Sequence, residues 1–370
     1  MNPLKIAVLF GGCSEEHAVS VKSAKQIAIC MDRAKYVPYF IYINRSGAWR
    51  LCDQETELRL RGESPDADAG FTGVPVVISP DRNDCGILIP GEDGCGKLRI
   101  DAVFPVIHGK MGEDGMLQGL LELSGIPYVG CDVASSVLCM DKSLTYSVVR
   151  NAGVSTPAFH VLHDGDAVQI EHDTDAAQTD CRADAAVRER FGYPVFVKPV
   201  RSGSSFGVGK VHAAAELEAA VETARRYDGK TLIEEAVAGC EIGCAVLGNG
   251  TDLTVGEPDM ITLRNGFFKI HQEANPEAGS ENATVTVPAD IPQATGERVR
   301  ETAKKVYRAL GCAGLARVDM FLRESGGIVL NEVNTMPGFT SYSRYPRMMA
   351  AAGIPLPELI DRLIALALMR

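Results

Sequence analysis

The chain has 370 residues, of which 46% are hydrophobic and 23% charged, a profile typical of a soluble globular protein with two or three domains. Its net charge of −11 argues against nucleic acid as the main partner, because phosphate backbones bind basic surfaces. No apolar stretch is long enough to span a bilayer, and the N-terminus lacks the features of a signal peptide. We therefore expect a cytoplasmic protein without membrane contact.

The first 130 residues predict an α/β domain. An apolar run (KIAVLF) ends at Gly11-Gly12 and is followed by a helical pattern and a second strand, which is how a parallel α/β unit begins. Residues 53–98 are rich in Gly, Pro and Asp, and we expect irregular structure there. The predicted strands and helices of this domain are, in chain order, strand 5–10, helix 21–31, strand 37–43, strand 101–109 and helix 115–125.

The rest of the chain predicts two further α/β units, at 131–235 and 236–370. In the first, a helix with an aspartate start follows Met140, and the strand YPVFVKPV precedes a glycine–serine loop at 201–209. The polar, alanine-rich residues 163–190 predict an exposed, partly helical insertion. The eleven cysteines contain no CxxC pattern, so free thiols are expected and a structural zinc site is disfavoured.

The strongest local signal is a predicted hairpin of the strands ARVDMFL and IVLNEVN. If its turn is the two-residue loop 325–326, Asp319 lies opposite Glu332, and Arg317 lies opposite Asn334. Two carboxylates about 5 Å apart repel unless a cation lies between them. The hairpin is therefore a candidate magnesium clamp, with an exposed strand face carrying a salt bridge as the alternative.

Three further stretches carry candidate ligands. Lys198 ends an apolar strand before a loop whose backbone N–H groups could hold phosphate, although the P-loop pattern is absent. Glu234, Glu235 and Glu241 surround a turn and could bind adenine or ribose, or could form a solvated acidic turn. Glu16 follows the first strand, where open α/β sheets bind ligands, and could hold a substrate ammonium or stabilise a helix N-terminus.

Taken together, these stretches resemble the D-alanine–D-alanine ligase family of ATP-grasp enzymes. The resemblance covers nearly the whole chain and is carried, in order, by FGGCSEEH, HGKMGEDG, GIPYVGCD, MDKSLTY, FVKPVRSGSSFGV, LIEEAVAGCEIG, GLARVDMF and NEVNTMPGFTSYS. It implies an α/β ATP-grasp fold in which an N-terminal parallel α/β domain (1–130) precedes two subdomains (131–235 and 236–370) that sandwich ATP. It also implies a homodimer that activates D-alanine as an acyl phosphate.

The resemblance assigns residues to each part of this site. The nucleotide would be held by Lys142, Phe196, Val197, Lys198, Ser204, Ser205, Glu234, Glu235, Ala236, Val237, Glu241, Phe268, Asn331 and Glu332. Two Mg²⁺ ions, or Mn²⁺ in their place, would be bound by Asp319, Glu332 and Asn334. Substrates would be bound by Glu16, His108, His271, Arg317, Ser343 and Arg344. The residues acting in the reaction would be Glu16, Ser204, His271, Arg317 and the amide of Gly338.

The candidate lid at 266–282 departs from the commoner pattern of this family. A lysine–tyrosine pair is usual there, whereas this chain has Ile270-His271, which is similar to the D-alanine–D-lactate ligases found with vancomycin resistance. An unperturbed histidine titrates near about pH 6.5. Protonated His271 would attract the carboxylate of D-lactate and repel the ammonium of D-alanine, so D-lactate is the expected acceptor.

Three other functions compete with this one. An ordinary D-alanine–D-alanine or D-alanine–D-serine ligase would differ only in its product. Another ATP-grasp ligase is disfavoured by Glu16 and the motif SYSRYP. A nucleotide-binding sensor is disfavoured by the hairpin carboxylates, since a sensor needs no site for an acyl phosphate.

Overall fold

The computed structural model describes residues 2–62, 71–92, 94–166, 183–263 and 283–370. Outside the described residues lie most of the insertion predicted at 163–190 and all of the lid predicted at 266–282, including Phe268 and His271.

The helix predicted at 115–125 lies at Met116–Ser124, and the helix predicted at 21–31 lies at His17–Cys30. Asp53, Asp132 and Asp141 each cap a helix by accepting a backbone N–H of its first turn, which confirms the aspartate start after Met140. Gly125, in the left-handed region with φ 67°, ends α3. The described helices are α1 His17–Cys30, α2 Gln54–Arg61, α3 Met116–Ser124, α4 Val133–Met140, α5 Lys142–Asn151, α6 Ala183–Arg190, α7 Leu217–Arg225, α8 Gln293–Ala309, α9 Arg344–Ala351 and α10 Leu356–Leu368.

The N-terminal sheet has the order β4-β3-β2-β1-β8. Strands β2, β1 and β8 pair in parallel, as predicted, with β8 at one end of the order, while β3 and β4 on the β2 side pair antiparallel. Strand β1 is buried almost throughout, which explains its continuous apolar run. The strands are β1 Leu4–Gly11, β2 Tyr36–Ile43, β3 Trp49–Cys52, β4 Gly73–Pro75 and β8 Ala102–Pro105.

The prediction of irregular structure at 53–98 is wrong. The segment contains α2, β4 and a small antiparallel sheet of the strands β5 Val77–Ile78, β6 Gly86–Gly91 and β7 Gly94–Arg99. Backbone pairing dominates in this sheet, because β6 and β7 form a continuous hairpin register in spite of their glycines. Short, partly exposed strands of this kind bury few apolar side chains and so leave little hydrophobic pattern to detect.

A second sheet, of order β11-β10-β12-β9, carries the glycine–serine loop 201–209. Its pairs are all antiparallel, and α7 packs on one face, where Leu217 and Val221 join Val197 in a buried cluster. The strands are β9 Phe159–His163, β10 Val195–Pro199, β11 Gly209–Val211 and β12 Lys230–Glu235.

The third sheet, of order β16-β15-β13-β17-β18 with β14 beside β13, carries the predicted hairpin at one edge. Its strands are β13 Cys240–Asn249, β14 Asp252–Val255, β15 Asp259–Leu263, β16 Ala283–Thr286, β17 Gly314–Leu322 and β18 Ile328–Asn334. Two buried hydrophobic clusters that pack against this sheet also contain residues from earlier parts of the chain. One cluster joins Phe10 of β1 to Leu247 of β13 and Leu363 of α10, and another joins Val149 of α5 to Val318 of β17. The domain limits near 130 and 235 remain predictions, because buried contacts cross both.

Candidate active site

The β17–β18 hairpin has the predicted pairing at its functional positions. Arg317 lies opposite Asn334 and Asp319 lies opposite Glu332. The predicted two-residue turn is wrong, however. The strands end at Leu322 and restart at Ile328, so five residues, 323–327, connect them. Leu322 pairs with Ile328, one residue away from the partner that a turn at 325–326 would give it.

A β-bulge reconciles the longer connection with the predicted register. Between Asp319 and Met320 the register shifts, so that Met320 pairs with Leu330 and Asn331 has no partner on β17. If the register of Met320 and Leu330 continued without a shift, Asn331 would lie opposite Asp319, and Glu332 would point to the other face of the sheet. The bulge therefore brings the two carboxylates together.

Each carboxylate of this pair is matched by a different cation. The Asp319 carboxylate is buried and accepts hydrogen bonds from Arg317 (Nε 2.9 Å, Nη2 2.8 Å) and from the Asn334 side-chain amide (2.9 Å). Glu332 lies 3.2 Å from the Lys142 ammonium. Burial raises the pKa of Glu332, but the positive charges of Lys142, Lys198 and Arg317 outweigh it and hold that pKa below its usual value.

Lys142 is the first residue of α5, and Lys198 lies on β10 of the second sheet. The ammonium of Lys142 also donates to the carbonyl of Ser202 (2.9 Å), at the start of the glycine–serine loop. Lys198 and Glu234 occupy diagonal positions on β10 and β12, and their side chains form a buried ion pair of 2.6 Å. The structure thus places both predicted phosphate-binding lysines beside the hairpin or in its neighbouring sheet.

The glycine–serine loop crosses to the N-terminal domain. Ser204 and Ser205 both adopt positive φ (49° and 58°), and the hydroxyl of Ser204 donates to Glu16 (2.5 Å). Glu16 precedes α1, and its other carboxylate oxygen lies against Gly109, where a Cβ would approach it to 2.5 Å. Gly109 has a φ of 74°, a left-handed conformation that favours glycine, and its backbone lies close to the carboxylate that binds Ser204.

His108 is buried below this contact. Its Nδ1–H donates to the carbonyl of Met336 (2.8 Å), and its Nε2 lies 2.9 Å from the Ser23 hydroxyl. Burial lowers the pKa of His108, but nearby Glu113 and Glu16 outweigh it, so that the pKa is raised. His108 thereby ties β8 to the chain segment that leads to Gly338.

Gly338 and Ser343, to which the resemblance gives separate roles, lie close together. A Cβ on Gly338 would lie 2.7 Å from the Ser343 hydroxyl, so a glycine there lets the backbone approach the serine. That hydroxyl accepts from the Thr340 amide (3.1 Å) and lies 2.6 Å from the Thr340 hydroxyl. The pair therefore forms a compact polar turn at the start of α9.

Arg344 lies in a cluster that sequence reasoning missed. Its guanidinium forms a two-pronged pair with the buried Asp259 (2.6 and 2.7 Å) and lies 3.3 Å from both Glu241 and Asp319. Burial raises the pKa of Glu241 to about 7. The only available signal was an aspartate starting an otherwise apolar strand, and nothing in its spacing pointed to Arg344.

The remaining predicted nucleotide residues lie around the end of β12. Glu235 pairs with Arg323 in the hairpin connection, and Phe196 lies opposite Glu234 on β10, with the Lys210 ammonium 5.9 Å from the ring centre. Ala236 and Val237 follow β12 and are partly buried. This edge offers backbone, an aromatic ring and carboxylates together, which is the chemistry that recognition of adenine and ribose requires.

Other features bear on the expected cofactors and location. In the described part of the chain, no group of three or more His, Cys, Asp or Glu side chains is arranged to hold a metal, so a metal here would depend on Asn334 as well as two carboxylates. No described helix has the length and apolar character needed to cross a bilayer. All ten described cysteines are free, as predicted.

Comparison with known proteins covers the chain almost end to end. The family models described as D-ala D-ala ligase N-terminus and C-terminus match residues 5–131 and 148–365. The chain is 57% identical to the vancomycin/teicoplanin A-type resistance protein VanA of Enterococcus faecium, across 100% of this chain and 99% of the relative. The identity to a putative D-alanine–D-lactate ligase of Streptomyces coelicolor is also 57%, with the same coverage. The solved VanG D-Ala:D-Ser ligase of Enterococcus faecalis superposes with a TM-score of 0.85 at 41% identity, covering 99% of this chain and 100% of that one.

Proposed function

Because the chain belongs to the D-alanine–D-alanine ligase family and has its ATP-grasp fold, we propose that it is an ATP-dependent ligase joining D-alanine to D-lactate. The observation that carries this proposal is the convergence of Lys142 and Lys198 with the paired Asp319 and Glu332. Two ammonium groups facing two carboxylates suit a triphosphate that is transferred with metal assistance. D-Lactate is favoured as acceptor because a relative named for it is 57% identical, against 41% for the D-Ala:D-Ser ligase.

The proposed reaction has two steps. A carboxylate oxygen of D-alanine attacks the terminal phosphorus of ATP, giving D-alanyl phosphate and ADP. The hydroxyl oxygen of D-lactate then attacks the acyl carbon, the C–O bond to phosphate breaks, and the hydroxyl proton is lost, giving the ester and inorganic phosphate. An acyl phosphate hydrolyses readily in water, so the site must be closed while it exists.

This chain's own residues account for binding and charge balance in both steps. Lys142 and Lys198 offset the phosphate charge, and Glu16 holds the ammonium of D-alanine while its bond to Ser204 keeps the loop closed. Arg317 and the amide of Gly338 stabilise the oxyanion that forms at the acyl carbon. The Ser343 hydroxyl binds the carboxylate of the acceptor.

The donor set fits magnesium. Asp319, Glu332 and Asn334 present oxygen atoms at the paired end of one hairpin, and oxygen is the ligand type that Mg²⁺ selects. Asn334 uses its amide N–H₂ on Asp319 and thereby leaves its oxygen directed elsewhere. Two Mg²⁺ ions, or Mn²⁺, would be held by these three side chains and would neutralise the crowded phosphate oxygens.

The biological setting follows from the product and the relatives. The ester would replace an amide N–H at the end of peptidoglycan precursors, and VanA is named for vancomycin and teicoplanin resistance. We place the enzyme in the cytoplasm, where ATP is made and thiols stay reduced, in agreement with its free cysteines. We also expect a homodimer, because exposed Met116 and Leu123 on α3 are apolar positions that a second copy would cover.

The test is product analysis with ATP, D-alanine and D-lactate across a range of pH. Hydroxylamine should trap D-alanyl phosphate as a hydroxamate, and ADP should accumulate. The ester should dominate at low and neutral pH, with the dipeptide gaining as pH rises. Release of AMP would exclude the acyl phosphate, and dipeptide alone at every pH would exclude D-lactate as the acceptor.

A further inference from the structure

Tyr146 is a buried residue of α5 to which the proposed function assigns no role. Its hydroxyl oxygen lies 2.9 Å from a carboxylate oxygen of Glu234 and 2.8 Å from the backbone carbonyl of Asn331. The side chain is 0% exposed, so no water competes for the hydroxyl. One O–H group therefore joins α5 to the sheet of the lysines and to the hairpin of the carboxylates.

The first acceptor belongs to the Lys198 ion pair. Glu234 is 2% exposed and Lys198 is 8% exposed, so both charges are removed from water. Lys198 takes one carboxylate oxygen of Glu234 at 2.6 Å, and Tyr146 donates to the other. A buried charge is costly unless its remaining lone pairs are satisfied, so the Tyr146 hydroxyl holds Glu234, and through it the Lys198 ammonium, in one position.

The second acceptor is the extra residue of the β-bulge. Asn331 has no partner in the β17–β18 register, and its carbonyl accepts from the Tyr146 hydroxyl. The amide of the preceding residue, Leu330, donates to the carbonyl of Ser155, four residues after the end of α5. The α5 region thus satisfies the bulge on two consecutive residues, and the bulge is what turns Glu332 toward Asp319 and Lys142.

We propose that Tyr146 is a positioning residue for nucleotide binding, whose hydroxyl fixes both the Lys198–Glu234 pair and the Asn331 bulge. The inference rests on the proposed function for its meaning, since both features serve the ATP site there. Removal of the hydroxyl would take away the donor that the Glu234 carboxylate and the Asn331 carbonyl share. Lys198 and Glu332 would then each gain freedom to move away from the phosphates.

The test compares Tyr146→Phe with Tyr307→Phe. Tyr307 is equally buried on α8, and its hydroxyl donates to the carbonyl of Gly248 (2.9 Å), outside the proposed site. Tyr146→Phe removes a hydroxyl shared by two buried acceptors, one of them charged, and Tyr307→Phe removes a hydroxyl bound to one carbonyl, so both variants should lose stability to urea, Tyr146→Phe the more. Only Tyr146→Phe should raise the KM for ATP, by about tenfold for a bond to a charged group, while the KM for D-alanine at saturating ATP stays unchanged.

Two readouts do not depend on turnover. With EDTA present, calorimetric binding of ADP should weaken by about tenfold in Tyr146→Phe and not in Tyr307→Phe. Amide hydrogen exchange of residues 330–332 should accelerate in the same variant alone. Equal ADP affinity and equal exchange in the two variants would overturn the proposal, as would a Tyr146→Phe chain that fails to fold while Tyr307→Phe folds. A parent enzyme that makes no ADP from ATP and D-alanine would instead refute the proposed function, and the binding and exchange results would still decide the role of Tyr146.

Discussion

Asp319→Asn is the change that most directly tests the candidate site. The substitution keeps the shape of the side chain but removes a buried charge that receives three hydrogen bonds from Arg317. Arg344 retains Asp259 as a partner, whereas Arg317 has no other ion pair within reach in the described part of the chain. Removing one partner of a buried ion pair lowers the free energy of unfolding by about 3–5 kcal/mol. Because the asparagine oxygen can still accept a hydrogen bond from Arg317, we expect a loss of about 3 kcal/mol here.

The chemical effect should be larger than the loss of stability implies. Replacing an outer partner of a metal ligand typically costs about 10–100-fold in activity, so replacing a ligand should lower kcat/KM for ADP formation by more than about a hundredfold. The assays are ADP release with ATP and D-alanine, and urea unfolding of the same preparations. Asp84→Asn is a control for the loss of a paired aspartate outside the site, because Asp84 pairs with Lys97 and Ser79 beside the small N-terminal sheet.

A double variant separates folding from chemistry. Arg317→Met combined with Asp319→Asn removes both buried charges, so the free energy of unfolding should recover in part relative to Asp319→Asn alone. Turnover should remain lost, since neither the metal ligand nor the oxyanion partner is restored. ADP production near the parent rate by Asp319→Asn would refute the site, and recovery of turnover in the double variant would show that the single loss was one of folding.

Three further predictions follow from the site. His271→Tyr should lose D-lactate use more than D-alanine use, by about tenfold or more, and shift the product crossover to lower pH; an unchanged product ratio at every pH would contradict this. Burial raises the folded-state pKa of Glu241 from 4.5 to about 7, so the parent protein loses stability as the pH rises between these two values. Glu241→Gln has no such loss and should become more stable relative to the parent as the pH rises. Urea unfolding of both proteins at about pH 5 and about pH 8 should show this difference. Ser204→Ala should raise the KM for D-alanine with little change in unfolding free energy, because it frees the loop from Glu16, and an unchanged KM would count against the link.

The hairpin shows how a correct pairing at two positions can follow from a partly wrong turn. The sequence predicted that Asp319 lies opposite Glu332 and that Arg317 lies opposite Asn334, and the structure confirms both cross-strand pairs. The turn is longer than predicted and the bulge at Asn331 compensates for it. Local sequence carries no clear bulge signal, because the stabilising partners, Tyr146 and Ser155, lie far away along the chain.

The family was determined by the sequence alone, because short motifs occur in the family's order along nearly the whole chain. Gly109 and Gly338 belong to these motifs, and each lies where a Cβ would collide with Glu16 or Ser343. Only the tertiary structure decided which charged side chains form ion pairs with each other. Asp259 and Arg344 lie 85 residues apart, and their pairing depends on α9 folding against the third sheet. Burial makes such a pair obligatory, and burial is a property of the assembled core that no local pattern can express.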